Sequence, residues 1–143
     1  MRLIHGPILS LPEGHLEIPL HVDRIRLAKR RWRGFAEDGS EFGFDLESPL
    51  KNGSFFFRTE TCFYGIAQQP EPVIDIICPE QTAEAARLGW MLGNLHFPVE
   101  ILPGNLRICD DPAVRQMLIR EKFNFIVSNA IFQPLSGAHS HAV

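Results

Sequence analysis

The chain lacks the signals of several common protein classes. Its 143 residues contain three cysteines, Cys62, Cys78 and Cys109, and no C-x-x-C pair, which disfavours a disulfide framework or a structural zinc knuckle. No apolar run approaches the roughly 18 residues of a membrane span, and no basic-then-apolar leader is present, so we expect a cytoplasmic protein. The 14 Lys and Arg residues against 17 Asp and Glu give a net charge of −3 and no overall attraction to nucleic acid.

Motifs of the common catalytic sites are also missing. The sequence contains no G-x-S-x-G, no H-E-x-x-H and no glycine loop of the kind that holds phosphates. Its histidines have no partner base or nucleophile that the sequence identifies. We therefore expect a protein that is not an enzyme.

The first half of the chain carries strand signals. The composition, 45% hydrophobic and 22% charged, is typical of a folded globular protein. Residues 16–22 alternate at period two, and Pro19 within them indicates an edge strand or a bulge. Asp38-Gly39 and Asn52-Gly53 favour turns with positive φ and predict successive hairpins. The polar, proline-containing stretch 68–72 marks a boundary, so we predict a β-rich domain over 1–70 and a second domain over 71–143.

The second half predicts strands alternating with helices. The predicted elements are strands over 73–78, 99–102, 106–109 and 125–132, a helix over 79–92, and a second helix beginning at 112. Gly93-Asn94 tolerate the left-handed conformation needed to leave the first helix, and Asp111 followed by Pro112 is a good cap for the second. The order β-α-β-β-α-β predicts a ferredoxin-like unit, and the whole chain is then of the α+β class.

His96 is the leading candidate for a functional residue. It follows the predicted helix and precedes Phe97-Pro98, where proline favours extended backbone, so a surface corner should present the imidazole. One imidazole cannot hold a divalent metal tightly, because affinity grows with the number of ligands presented together. A two-fold dimer of the second domain would place each His96 opposite its mate and supply two ligands. An ordinary loop histidine is the alternative.

His139 and His141 can add ligands from the end of the chain. In extended backbone, residues two apart point the same way, so both imidazoles can contact one ion. Imidazole suits nickel, zinc or copper, and no pair of soft thiolates competes with it. The alternative is an unstructured terminus that happens to contain histidine. Three other histidines, His5, His15 and His21, lie in or beside the N-terminal strand pattern, and we assign them no role.

Two further clusters have simpler explanations. A basic stretch surrounds Trp32 and consists of Arg24, Arg26, Lys29, Arg30, Arg31 and Arg33. It is typical of a solvated face, and the functional alternative is docking of an acidic protein or peptide rather than nucleic acid. Cys109, Asp110 and Asp111 offer a thiolate and carboxylates, but Asp111 is better explained as a helix cap.

The sequence resembles the UreE family of urease accessory proteins over nearly its whole length. The most specific similarity is Leu92-Gly93-Asn94-Leu95-His96-Phe97-Pro98, which resembles the family's L-G-N-x-H-x-P segment. Weaker similarities lie at 38–43, 64–76 and 132–139. The resemblance implies a peptide-binding N-terminal domain, a ferredoxin-like C-terminal domain that dimerises, and nickel held between paired His96 residues with His139 and His141 as auxiliary ligands.

The resemblance also implies a function. It is that of a nickel metallochaperone, which delivers nickel to a nickel-handling accessory GTPase and the apo-urease assembly complex. The alternative is a peptide- or partner-binding scaffold of that complex, with incidental binding of zinc or nickel. The tail has only His139 and His141, where some members carry long histidine-rich tails, which implies a capacity near one ion per dimer.

Overall fold

The chain forms two compact units. A computed structural model describes residues 1–9, 14 and 16–135. Contacts between Cα atoms divide the chain into Met1–Gln69 and Pro70–Val143. The architecture is α+β, with strands in both units. No helix in the described part of the chain has the length and apolar character needed to cross a membrane.

The first unit contains two three-stranded sheets. Its elements are β1 (Arg2–Ile4), β2 (Leu16–Val22), α1 (Arg24–Leu27), β3 (Arg31–Phe35), β4 (Glu41–Asp45), β5 (Phe55–Arg58) and β6 (Cys62–Gln68). The sheets have the orders β1-β4-β3 and β2-β6-β5. Among the described strands, β2 lies at an edge and pairs with β6 alone, which confirms the prediction made from Pro19. Aromatic rings fill the core, and Trp32 stacks on Phe44 at 4.0 Å between centroids.

Only the first of the two predicted hairpins is confirmed. Strands β3 and β4 pair in antiparallel fashion across the turn at Gly39, whose φ is +89°. Gly53 also has a positive φ of +86°, but β4 and β5 belong to different sheets, so the second hairpin prediction was wrong. The reason is that this turn binds to β6: Gly53 N–H donates to Ile66 O at 3.0 Å, and Gln68 N–H donates to Asn52 Oδ1 at 2.8 Å.

The second unit is a four-stranded sheet with two helices. Its elements are β7 (Glu71–Ile77), α2 (Thr82–Asn94), β8 (Glu100–Leu102), β9 (Asn105–Cys109), α3 (Pro112–Arg120) and β10 (Phe125–Ala130). The sheet has the order β10-β7-β9-β8, and every neighbouring pair is antiparallel. One face packs against the helices through Ile74, Ile76, Ile108, Leu88, Leu92, Val114 and Leu118.

The element boundaries in this unit differ from the predicted ones. Helix α2 begins at Thr82 and not at Pro79, because the cap residue Gln81 has extended backbone and its carbonyl accepts the first helical hydrogen bond, from Ala85 N–H. Strand β10 ends at Ala130, two residues before the predicted end. Its continuation leaves the sheet edge and crosses toward β8, as described below.

Candidate functional site

His96 forms the corner that follows helix α2. Its φ of +59° lies in the left-handed region, and its N–H donates to Gly93 O at 3.2 Å. We predicted this conformation for Gly93-Asn94, which was wrong because both residues are still helical. The left-handed conformation costs a residue with a Cβ roughly 1–2 kcal/mol, although histidine is among the side chains found there more often. The corner therefore holds His96 in a backbone conformation that glycine would adopt with less strain.

The residues on either side of His96 in the sequence form an exposed surface without charged side chains. Residues 88–99 contain no Asp, Glu, Lys or Arg, and His96 is their only titratable side chain. Leu88 and Leu92 point into the core, whereas Trp90 is 68% exposed and Phe97 is 38% exposed. We call the outward set the α2 apolar surface; it consists of Gly89, Trp90, Gly93, Leu95 and Phe97. Because the solvent face of a helix is ordinarily polar, such a surface is typical of a binding interface.

One chain does not supply a complete metal site within its described residues. No group of three or more His, Cys, Asp or Glu residues in ranges 1–9, 14 and 16–135 can hold a metal ion. His139 and His141 lie outside those ranges, so the geometry of the predicted tail ligands is not described. A site built on His96 therefore requires ligands from a second copy, from the tail, or from both.

The end of the described chain returns to the neighbourhood of His96. Residues 131–135, which we call the strap, follow β10 at one edge of the sheet. Ile131 O accepts a hydrogen bond from Arg107 Nη1 at 3.0 Å, and Gln133 N–H donates to Glu100 Oε1 at 2.8 Å. Leu135 N–H then donates to Val99 O at 2.8 Å. The strap thus ends beside Val99, three residues after His96.

The carboxylates next to Cys109 are engaged in other interactions. Asp111 Oδ1 accepts hydrogen bonds from Ala113 N–H at 2.8 Å and from the next N–H of helix α3, which confirms the predicted cap. Asp110 binds Arg115 Nε at 2.7 Å, and this guanidinium lowers the pKa of Asp110. Cys109 Sγ lies 3.5 Å from Glu71 Oε1. These interactions favour a structural role for the cluster.

The histidines that we assigned no role lie in the first unit. His21 Nε2 lies 3.1 Å from Glu37 Oε2, and His5 Nδ1 lies 3.1 Å from Asp45 O. His15 is outside the described residues. Of the basic stretch, Arg31 pairs with Asp45 at 3.1 Å and its side chain is largely exposed, as expected for a solvated face.

Comparison with known proteins supplies the family. Residues 71–143, just over half of the chain, match the family described as UreE urease accessory protein, C-terminal domain. A protein from Pseudomonas fluorescens named urease accessory protein UreE is 30% identical over 142 residues, which cover 97% of this chain and 84% of that relative.

Two other relatives carry the same name. One from Azotobacter vinelandii is 29% identical over 150 residues, which cover 99% of this chain and 89% of the relative. One from Beijerinckia indica subsp. indica is 33% identical over 114 residues, which cover 78% of this chain and 65% of the relative. The matched family domain and the relatives aligned over nearly the whole chain agree. The chain belongs to the UreE family of urease accessory proteins and has a role in urease assembly.

Proposed function

We propose that the protein is a cytoplasmic, non-enzymatic nickel carrier that works as a homodimer. His96 of each chain binds one shared nickel ion, and His139 and His141 add ligands from the tail. The observation that carries the proposal is the place of His96, a left-handed corner bordered by an exposed and uncharged stretch of chain. Zinc and copper prefer the same ligand type and can occupy the site in its place.

The α2 apolar surface supports self-association. Among the described residues, neither Gly89 nor Gly93 would meet a heavy atom within 4 Å if it carried a Cβ, so no described part of the chain covers this side of α2. A second copy is the occupant that best fits, because a two-fold axis near the corner turns one histidine per chain into two facing ligands. The absence of charged side chains from 88–99 removes the repulsion that two identical charged faces would have.

The strap supports the assignment of the tail histidines. Leu135 is hydrogen bonded to Val99, and His139 is four residues beyond Leu135, whereas His96 is three residues before Val99. Four extended residues span at most ~14 Å and three span at most ~11 Å. The tail is therefore long enough for His139 to contact an ion bound at His96.

Delivery of nickel follows from the exchange of ligands. A carrier must release its ion, and imidazoles that join and leave one at a time lower the barrier to transfer compared with a closed cage. The expected recipients are the nickel-handling accessory GTPase and the apo-urease assembly complex. We propose that the first unit binds peptides or partner proteins and that the second, of ferredoxin-like topology, binds metal and dimerises.

Deletion of residues 137–143 tests the ligand assignment. We expect nickel affinity to fall about tenfold, since auxiliary ligands are lost while the His96 pair remains. Isothermal titration of nickel into the full chain and the deleted chain measures the change, and replacing His139 and His141 by alanine in the full-length chain is the matched control. Complete loss of binding would mean that the tail, and not His96, is the primary site. Unchanged affinity would remove the tail from the site.

A further inference from the structure

A row of charged side chains lies on the sheet face opposite the helices of the second unit. Asp75 of β7, Arg107 of β9 and Glu100 of β8 are successive cross-strand partners. Arg107 Nε binds Asp75 Oδ1 at 2.7 Å, and Nη2 binds Oδ2 at 3.1 Å. The three side chains are only 18%, 19% and 13% exposed for Arg107, Asp75 and Glu100. The two hydrogen bonds to Asp75 raise the pKa of Arg107.

Arg107 and Glu100 of this row also form hydrogen bonds with the strap. With Nε and Nη2 occupied by Asp75, Arg107 uses Nη1 to bind Ile131 O at 3.0 Å. Glu100 Oε1 accepts the Gln133 N–H at 2.8 Å and lies 3.9 Å from Arg107 Nη1. Hydrogen bonds to charged groups are shorter and stronger than neutral ones. Both contacts are to backbone atoms, and the Phe132 side chain between them is fully buried, so these hydrogen bonds and the burial of Phe132 together fix the path of the strap.

Partly buried ionic groups require a reason, because removing them from water is costly unless the pairing is good. Here the row holds the strap across the sheet, from the β10 edge to Val99, the residue that precedes edge strand β8. Since strands are about 4.8 Å apart, the four-stranded sheet carries the chain over ~14 Å. We propose that Arg107 and Glu100 are positioning residues that anchor the strap so that Leu135 lies at Val99, three residues after His96, with His139 four residues farther along the chain. This inference rests on the proposed function of the tail as a source of ligands.

The size of the expected effect follows from tether length. With the strap in place, four residues separate the anchor Leu135 from His139; without the contacts of Gln133 and Leu135, seven residues separate His139 from the buried Phe132. Effective concentration falls roughly as the −3/2 power of tether length, which gives about a twofold loss. We therefore expect nickel affinity to fall by about two- to threefold.

Glu100 provides the most selective test. Glu100→Ala removes the acceptor for Gln133 N–H and leaves the Asp75–Arg107 pair intact, whereas Glu100→Gln keeps an acceptor oxygen. We expect Glu100→Ala to weaken nickel binding about two- to threefold in the full chain and Glu100→Gln to restore it. In the chain that lacks residues 137–143, neither substitution should change affinity, because no ligand remains for the strap to deliver. The test is nickel titration of six proteins: the wild type, Glu100→Ala and Glu100→Gln, each with and without residues 137–143.

Leu135 provides a second, independent variant. Leu135→Pro removes the N–H that binds Val99 O, and Leu135→Ala, its matched control, keeps that N–H while losing the same exposed side chain. Only the proline variant should weaken nickel binding.

Equal losses of nickel affinity from Glu100→Ala with and without residues 137–143 would show a purely structural role and overturn the inference. The inference would also be overturned if deletion of residues 137–143 weakens nickel binding while Glu100→Ala and Leu135→Pro both bind nickel as tightly as the wild type. If tail deletion itself has no effect, the proposed tail ligands fail and the inference fails with them.

Discussion

Replacing His96 with glycine is expected to remove the tight nickel site without destabilising the folded chain. The substitution takes one ligand from each copy, and therefore both interface ligands from the shared ion, leaving only the auxiliary tail histidines. Loss of groups that only support a ligand costs 10–100-fold in metal affinity, so we expect loss of the ligand pair to cost at least about 100-fold. Glycine adopts the +59° φ of this corner without a Cβ clash, so the fold should tolerate it.

His96→Ala separates the ligand from the backbone. Alanine also removes the imidazole but keeps a Cβ at positive φ, so we expect it to unfold about 1 kcal/mol more easily than the glycine variant. Nickel affinity from calorimetry and the free energy of unfolding from urea titration give the two readouts. His21→Ala is the control, because His21 belongs to the first unit and should leave nickel affinity unchanged. Wild-type affinity in both His96 variants would exclude His96 as a ligand.

Trp90→Glu is expected to weaken nickel binding at least about 100-fold while leaving every proposed ligand in place. Trp90 is 68% exposed on helix α2, and glutamate is a good helix former, so one chain should fold normally. Two copies would bring their new carboxylates together on an apolar interface, where burying unpaired like charges costs several kcal/mol. Separated chains offer one His96 each, and we expect affinity to fall by at least about 100-fold.

Ile119→Glu is the matched control for this substitution. Ile119 is 61% exposed on helix α3, outside the α2 apolar surface, and the change introduces the same charge. Light scattering should give a monomer for Trp90→Glu and a dimer for Ile119→Glu, with tight nickel binding only in the second. A monomeric Trp90→Glu protein that binds nickel as tightly as the wild type would show that the site does not depend on pairing.

Local chemistry made much of the fold predictable. Pro19 cannot donate a hydrogen bond to a neighbouring strand, so the edge position of β2 follows from its presence. Gly39 takes the positive φ that its turn requires, and Asp111 caps helix α3 with the expected hydrogen bonds. In each case one residue and its immediate neighbours determine the outcome.

Features that depend on distant parts of the chain were not predictable. Glycine is the usual residue in the left-handed position after a helix, so the sequence pointed to Gly93, whereas α2 continues and leaves His96 to adopt it. Apart from the buried Phe132, the strap depends on backbone atoms of Ile131, Gln133 and Leu135, which leave no periodic pattern in the sequence. Its partners Arg107 and Glu100 cannot be distinguished from ordinary charged strand residues until the register of β8, β9 and β7 is known.

His96 itself could be selected from sequence, but its surroundings could not. The helix exit and the following Phe97-Pro98 indicated an exposed corner, and His96 is indeed exposed. The sequence did not reveal that Leu88 and Leu92 are the fully buried residues of this stretch and that Trp90 is left in solvent. The same holds for the strap that ends at Val99, because a hydrogen bond between residues 36 positions apart is not encoded locally.

The mass of the nickel-loaded protein under native conditions tests the central claim most directly. Native mass spectrometry of protein titrated with nickel should give a species of two chains carrying one ion. The His96→Gly variant should not retain that ion. Two results would contradict a site shared between two copies of His96. One is a single chain that holds its own nickel ion. The other is a dimer in which each chain carries an ion and the His96→Gly variant retains both.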